Sequence, residues 1–451
     1  MSLASVTTPR VGSLRRVGTP SWDSGTFLSL LLALLLIIPS RFVFRPLGGE
    51  ATPSAVLGLL ALWLWVQGRI VPSLGMARGR QPLRAVVLFF LLANLASWTA
   101  TATELLSPDQ VRGADRGLLV VGAAAGIVLF TADGLTERRR LDAVLQRVVV
   151  LVGIVAVLGI LQFAVGLDLP THFKLPGLTR ISQTSTFIGS RDGFRRVAST
   201  TAHPIEFGLI LTTTLPIALH YAFATRLTRR RRRVATACAA LIAVAIPTAV
   251  SRSAAVATLL VLVMLVPTWP LRRRVRVLGA AVAGAGGFVL AQPGLLRSIA
   301  DLFTHTSTDS SIQGRIAFYS QLPSYFHAHP LFGQGFGTFD PTMYGFSVDN
   351  QFLTSLVETG AFGVAAVAVL VLAPAAVALS VRHRCKEDPE TRSLAHALLT
   401  GFLVAVVGFV SFDALSFTMF TYLFCFFMGA AGALWQLESG GPRWATMQHL
   451  M

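Results

Sequence analysis

The residues best suited to chemistry in this 451-residue sequence are arginines and carboxylates that flank long apolar runs. The first group lies between positions 167 and 204. Lys174, Arg180, Arg191, Arg195 and Arg196 face only Asp168 and Asp192 there, and lead into Val197-Ala-Ser-Thr-Thr-Ala-His-Pro204. Such an excess of cations suits an anionic ligand, a phosphate or an acidic sugar, because the guanidinium fork donates two parallel hydrogen bonds to phosphate oxygens. A solvated loop is the alternative, since long loops escape the charge bias that governs short ones. His203 and Glu206 stand at the step into the next apolar run. A histidine before a helix is commonly structural, and a carboxylate in a first turn is favoured by the helix dipole.

Arg252 is the second feature. It lies near the middle of an apolar stretch of 35 residues, 234–268, with arginine clusters at both ends. As one helix this stretch would be roughly 52 Å long, against a hydrocarbon core of about 30 Å. The chain is therefore predicted to turn back at Ser251-Arg252-Ser253, with Arg252 at the membrane boundary. An arginine there is costly unless it is paired or lines a wet cavity. The alternative is a snorkelling side chain with no further role.

The third group is Gly314-Arg315, His329-Pro-Leu-Phe-Gly-Gln-Gly-Phe-Gly337, Asp349-Asn350 and Glu358-Thr-Gly360. The glycines at 333, 335 and 337 do not form a dinucleotide fingerprint, because no strand precedes them and no βαβ unit surrounds them. They predict a tight turn. Residues 350–358 predict a short helix, with Asp349 or Asn350 as N-cap and Gly360 as its end. If Asp349 is not a cap, it is a carboxylate at the membrane face, able to accept a proton from a hydroxyl nucleophile.

The elements that must position these groups follow from composition. Hydrophobic residues make up 53% and charged residues 13%, where soluble domains carry about 25% charged, and the mean hydropathy is +0.65. So few charges exclude a soluble enzyme, a nucleic-acid-binding domain and a disordered chain, and leave an all-α polytopic membrane protein. The net charge of +17 does not imply nucleic acid as a partner. Only Lys174 and Lys386 are lysines, and the arginines cluster between apolar runs as topology signals do. Cys238, Cys385 and Cys425 have no disulfide or metal-ligand spacing.

Apolar runs predict twelve spans, near 26–44, 53–67, 83–99, 117–132, 147–166, 205–224, 234–250, 254–268, 277–292, 361–380, 394–412 and 415–436. With the N-terminus inside, 26 of the 38 basic residues fall in inner segments, as the positive-inside rule requires. The expected organisation is a cytoplasmic tail (1–25), a single transmembrane domain (26–436) with long outer segments at 167–204 and 293–360, and a second cytoplasmic tail (437–451). The expected location is the plasma membrane, with the chemistry on its outer face.

Together these pieces resemble the O-antigen ligase and polysaccharide polymerase family. Arg196 with Thr200 to Pro204, Ser251-Arg252, Gly314-Arg315, His329-Pro-Leu-Phe-Gly-Gln-Gly335, Asp349-Asn350 and Glu358-Thr-Gly360 follow the family's order, between about 190 and 365. The resemblance implies a GT-C-like glycosyltransferase that needs no metal or other cofactor. Its donor would be a glycan on a polyprenyl diphosphate in the bilayer, its acceptor a hydroxyl of a second glycan or another surface molecule, and a chain-length regulator is a candidate partner. By carry-over, Asp349, Arg252 and Arg196 are candidate catalytic residues. Arg191, Arg195, Arg315, His203, Asn350 and Glu358 are candidate substrate-binding residues. The ligase branch usually has His at the position of Asp349. An aspartate is the intrinsically weaker base, which leans towards a polymerase-like member. The competing reading is a transporter or flippase of lipid-linked sugars. Carriers place polar groups near the midplane, whereas here the strong polar positions cluster in the outer segments, and Asp413, near the outer end of the eleventh span, is the main carboxylate expected within the membrane.

Overall fold

The computed structural model describes residues 23–44, 51–71, 75–101, 106–167, 174–180, 190–191, 194–291, 319, 322–324, 326–339 and 348–439. Among them are twelve α-helices of 14 residues or more: α1 (Ser24–Ile37), α2 (Pro53–Ile70), α3 (Pro82–Thr101), α4 (Pro108–Gly134), α5 (Arg138–Val165), α6 (Pro204–Phe223), α7 (Arg229–Ala245), α8 (Arg252–Leu265), α9 (Leu271–Ala291), α10 (Gln351–Arg384), α11 (Pro389–Ser411) and α12 (Thr418–Ser439). The protein is an all-α polytopic membrane protein, and each predicted span overlaps one helix. Nine of the described helices are long and apolar enough to cross a membrane, whereas Ser24–Ile37 and Arg252–Thr268 are shorter apolar helices. α9 opens on Arg272, Arg273, Arg274 and Arg276.

Several ends differ from the apolar runs. The first span, predicted at 26–44, is helical only to Ile37. Ile38 is extended, as the residue before a proline prefers to be. Phe42–Val43 forms strand β1, antiparallel to β2 (Thr179–Arg180) in the segment 167–204. α4, α5, α7 and α10 begin before the runs at 117, 147, 234 and 361, because arginine and glutamine are good helix formers and extend the ladder into polar sequence. α1 begins at Ser24, where the Asp23 side chain caps it, and α12 ends at Ser439.

Five helices start with a polar residue followed by proline: Thr52-Pro53, Gln81-Pro82, Ser107-Pro108, His203-Pro204 and Asp388-Pro389. The cap side chain accepts an orphan backbone N–H, and proline has no N–H to satisfy. α4, α6 and α12 form the centre of the bundle, with α2 and α3 at its edge. Lipid offers no hydrophobic drive between helices, so close backbone approach matters. A Cβ on Gly58 of α2 would stand 2.8 Å from the Ala123 Cβ of α4, and one on Gly429 of α12 would stand 2.6 Å from the Thr131 Cβ.

Contacts between loops sort to opposite ends of the bundle. At the arginine-rich end, Arg84 donates to both oxygens of the fully buried Asp133 at 2.9 Å, joined by Trp65 at 2.8 Å and Gln436 at 3.1 Å. Arg138 and Tyr221 meet at Asp142, and Arg226 pairs with Asp388. At the other end, the Thr200 hydroxyl donates to the Leu36 carbonyl at 2.8 Å, and Ser97 donates to the Glu358 carbonyl at 3.0 Å.

Candidate functional site

The first part of the site is the turn from Arg196 to Pro204. Its backbone is fixed on several sides. The Ser199 hydroxyl donates to the Val155 carbonyl at 2.8 Å, the Ser199 N–H donates to the Gln162 side chain at 2.8 Å, and the Ser40 N–H donates to the Thr200 carbonyl at 3.0 Å. The Arg41 guanidinium donates to the Ala202 carbonyl at 3.0 Å. His203 caps α6, its Nδ1 accepting from the Ile205 N–H at 3.2 Å, and its ring packs 6.0 Å from that of Phe417. Burial, and then the guanidiniums of Arg196 and Arg41, push the imidazole down to about 4. His203 is therefore neutral at pH 7 and stands among cations.

Glu206, in the first turn of α6, is fully buried. One carboxylate oxygen accepts from the Ala202 N–H at 2.8 Å and the other from the Phe420 N–H at 3.0 Å. It joins the arginine-bearing turn to the start of α12, a role its local sequence did not disclose.

Arg252 is the first residue of α8, after the predicted reversal. α7 passes into a single 3-10 turn (Ile246–Ala249), Val250 takes left-handed backbone, and Ser251 caps α8. The Val197 N–H donates to the Thr248 carbonyl at 3.3 Å. That bond holds the strand of chain bearing Arg196 against the turn that presents Arg252. Among the described residues, only three non-glycine residues have left-handed φ: Ser199 (53°), Val250 (43°) and Asp349 (47°). They are three residues after Arg196, two before Arg252, and Asp349 itself. The region costs about 1–2 kcal/mol for an L-residue, and a β-branched valine in it is a marked outlier.

The glycine-spaced loop forms the third part. Gly333, Gly335 and Gly337 all have positive φ, at 64°, 112° and 82°. The Gly335 N–H donates to the Glu358 carbonyl at 2.6 Å, and the Ala361 and Phe362 N–H groups donate to the Pro330 and Leu331 carbonyls at 2.9 and 3.1 Å. The loop is thus stitched to α10 where that helix kinks at Gly360 (φ 65°, ψ −166°). A Cβ on Gly337 would stand 2.7 Å from the Gly113 carbonyl oxygen of α4. The predicted short helix and its glycine end are both present. Asn350, not Asp349, is the cap, its side chain accepting from the Phe352 and Leu353 N–H groups. Asp349 is freed from the capping role, and its backbone is strained instead.

Asp413, expected near the outer end of the eleventh span, comes just after α11 ends at Ser411. It lies in the turn between α11 and α12. Phe409, Phe412, Phe417 and Phe420 pack edge to face or tilted around that turn. Gln351, fully buried at the start of α10, accepts from the Leu415 N–H at 2.7 Å. Asp413 is close enough to Asp349 and to Glu358 for their charges to act on one another. Burial first, and then the charge of Asp349, push the Asp413 carboxyl up to about 6. The Glu358 carboxylate is buried and accepts from the Phe339 N–H at 3.3 Å.

The turn 412–420 therefore stands between two halves: Arg41, Arg196 and His203 on one side, reached through Phe417 and Phe420, and Asp349 and Glu358 on the other, reached through Asp413. Arg195 is elsewhere. It is exposed, and its guanidinium lies against Gly166 at the end of α5, where a cation is favoured by the helix dipole. Arg191 is in strand β3 (Ser190–Arg191), whose backbone pairs with β4 (Phe194–Arg195). Arg315 lies outside the described residues. No group of His, Cys, Asp and Glu able to hold a metal is present among the described residues.

No curated protein matches the chain. Arg191, Arg195, Arg196 and His203 fall before the stretch that matches a known family, whereas Arg252, Asp349, Asn350 and Glu358 fall within it. Residues 237–368, from α7 to the middle of α10, match the family model described as O-antigen ligase, which supports a membrane enzyme of cell-surface glycan assembly.

Proposed function

We propose that the protein is a membrane glycosyltransferase of the ligase or polymerase type, with all twelve helices crossing the plasma membrane and both termini in the cytoplasm. It transfers a glycan from a polyprenyl diphosphate to an acceptor hydroxyl at the outer face. Arg196 and Arg252 hold the donor diphosphate, with the neutral His203 beside them. Asp349 faces the acceptor. The bond from the sugar anomeric carbon to the diphosphate oxygen breaks, a bond to the acceptor oxygen forms, and the hydroxyl proton passes to the Asp349 carboxylate. The electron pair leaves with the diphosphate, whose growing charge the guanidiniums stabilise.

The observation that carries this reading is the placing of backbone strain. Strain of this kind persists where surrounding structure enforces it, and it clusters at active sites and ligand clamps. Here it falls beside each of the three side chains to which the chemistry is assigned. The test is transfer by the purified protein in detergent, given lipid-linked oligosaccharide and a chelator. Longer or transferred glycan is expected. A carrier needs a sealed membrane and would yield none.

A further inference from the structure

The arginine-rich end, opposite the candidate site, contains a cavity of about 490 Å³ between α6, α8, α9 and the α10–α11 loop. Four cations line it: Arg273, Arg382, Lys386 and Arg392. No carboxylate is among the described lining residues. Neighbouring arginines on this face are neutralised, Arg84 by Asp133, Arg138 by Asp142 and Arg226 by Asp388. None of the four cavity cations forms an ion pair with a described residue. Four like charges around one hollow repel each other, and the low dielectric of its walls strengthens the effect.

The walls are built rather than merely charged. The Arg273 guanidinium lies 4.3 Å over the Phe223 ring, which holds it in place. Trp269, Phe223, Leu219 and Leu265 supply an apolar side. His396 is 7% exposed and lines the cavity. Its Nε2 meets the Met264 carbonyl at 2.8 Å and must be the donor there. Its buried Nδ1 has no partner, and so offers an acceptor to a hydroxyl. Arg382 and Arg392 are close enough for their charges to act on the same ring.

We propose that this cavity binds a phosphate-bearing anion, through the four cations, with His396 accepting from a hydroxyl next to the phosphate. Basic pockets between membrane helices on the cytoplasmic side suit anionic headgroups, and by the positive-inside reading this face is cytoplasmic. A phosphodiester with a free glycerol hydroxyl meets both demands. Free phosphate meets the first.

The test uses the full-length protein in detergent, with thermal stabilisation and native mass spectrometry as readouts and phosphatidylglycerol, phosphatidylcholine and inorganic phosphate as probes. Phosphatidylglycerol is expected to bind at least tenfold more tightly than phosphatidylcholine. The double variant Lys386→Gln/Arg392→Gln, at two exposed positions, is expected to lose that preference. Arg230→Gln/Arg231→Gln removes the same charge from a separate, more apolar cavity on this face, and should keep it. Stabilisation by inorganic phosphate alone, lost in the first variant only, would identify a soluble source for the same site. Equal binding of both lipids with no phosphate effect, or equal loss in both double variants, overturns the proposal.

Discussion

Replacing Glu206 by leucine tests whether the two halves of the site are held together as described. The glutamate has one oxygen on the Ala202 N–H at 2.8 Å and the other on the Phe420 N–H at 3.0 Å, in a fully buried setting. Leucine has a similar volume and leaves both N–H groups without an acceptor. A buried donor deprived of its partner costs about 1–3 kcal/mol, so two cost about 2–6 kcal/mol. Glutamine keeps one acceptor oxygen and should cost about half as much. Each 1.4 kcal/mol that appears as displacement of the Arg196–His203 turn in the transition state slows transfer about tenfold. Denaturation of the purified variants in detergent, beside their rates of glycan transfer, gives both quantities. Wild type should be most stable and fastest, Glu206→Gln intermediate and Glu206→Leu lowest. A leucine variant as stable and as fast as wild type would refute the claim that this carboxylate joins α12 to the arginine-bearing turn.

Arg196→Ala and Arg252→Ala should each lower transfer by about 10²–10³ while expression and detergent extraction stay normal, measured by glycan elongation on gels; wild-type rates in both would remove the diphosphate assignment. Asp349→Asn keeps the size of the side chain and removes the proton acceptor, so near-normal turnover would reduce Asp349 to an orienting group. Stability against pH should separate His203 from Asp413. The His203 imidazole is held near 4, below its unfolded value near 6.5, so the folded state binds fewer protons and loses stability as pH falls from about 6.5 to 4. The Asp413 carboxyl, held near 6, does the opposite between about 6 and 4, because the folded state takes up its proton first. Titrations common to wild type and variant cancel in the difference between them. Asp413→Asn should become acid-labile and His203→Asn acid-stabilised, each by about 3 kcal/mol, as read from denaturation midpoints. Gly337→Ala places a Cβ 2.7 Å from the Gly113 carbonyl at a φ of 82°. It should destabilise by about 2–5 kcal/mol from strain and overpacking, where Gly79→Ala, with open space around it, should not.

Much of the frame was legible in the residues alone. Long apolar runs with arginine clusters between them define helices and their alternation, because a backbone in lipid must satisfy its own hydrogen bonds. The reversal at Ser251-Arg252 followed from length, since the run was too long for one crossing. The polar-then-proline starts of helices and the glycine at 360 are local signals, and the structure has the helix starts and the kink at those places. Tertiary structure decided what met at the site. Asp413 reaches Asp349 and Glu358, Glu206 reaches Phe420, and the loop at 330–335 is sewn to 357–362. It also chose Asn350 over Asp349 as the cap. Periodicity and capping patterns describe neighbours along the chain, whereas these partners are brought together only when distant helices pack. A carboxylate's surroundings, and so its chemistry, are set by that packing.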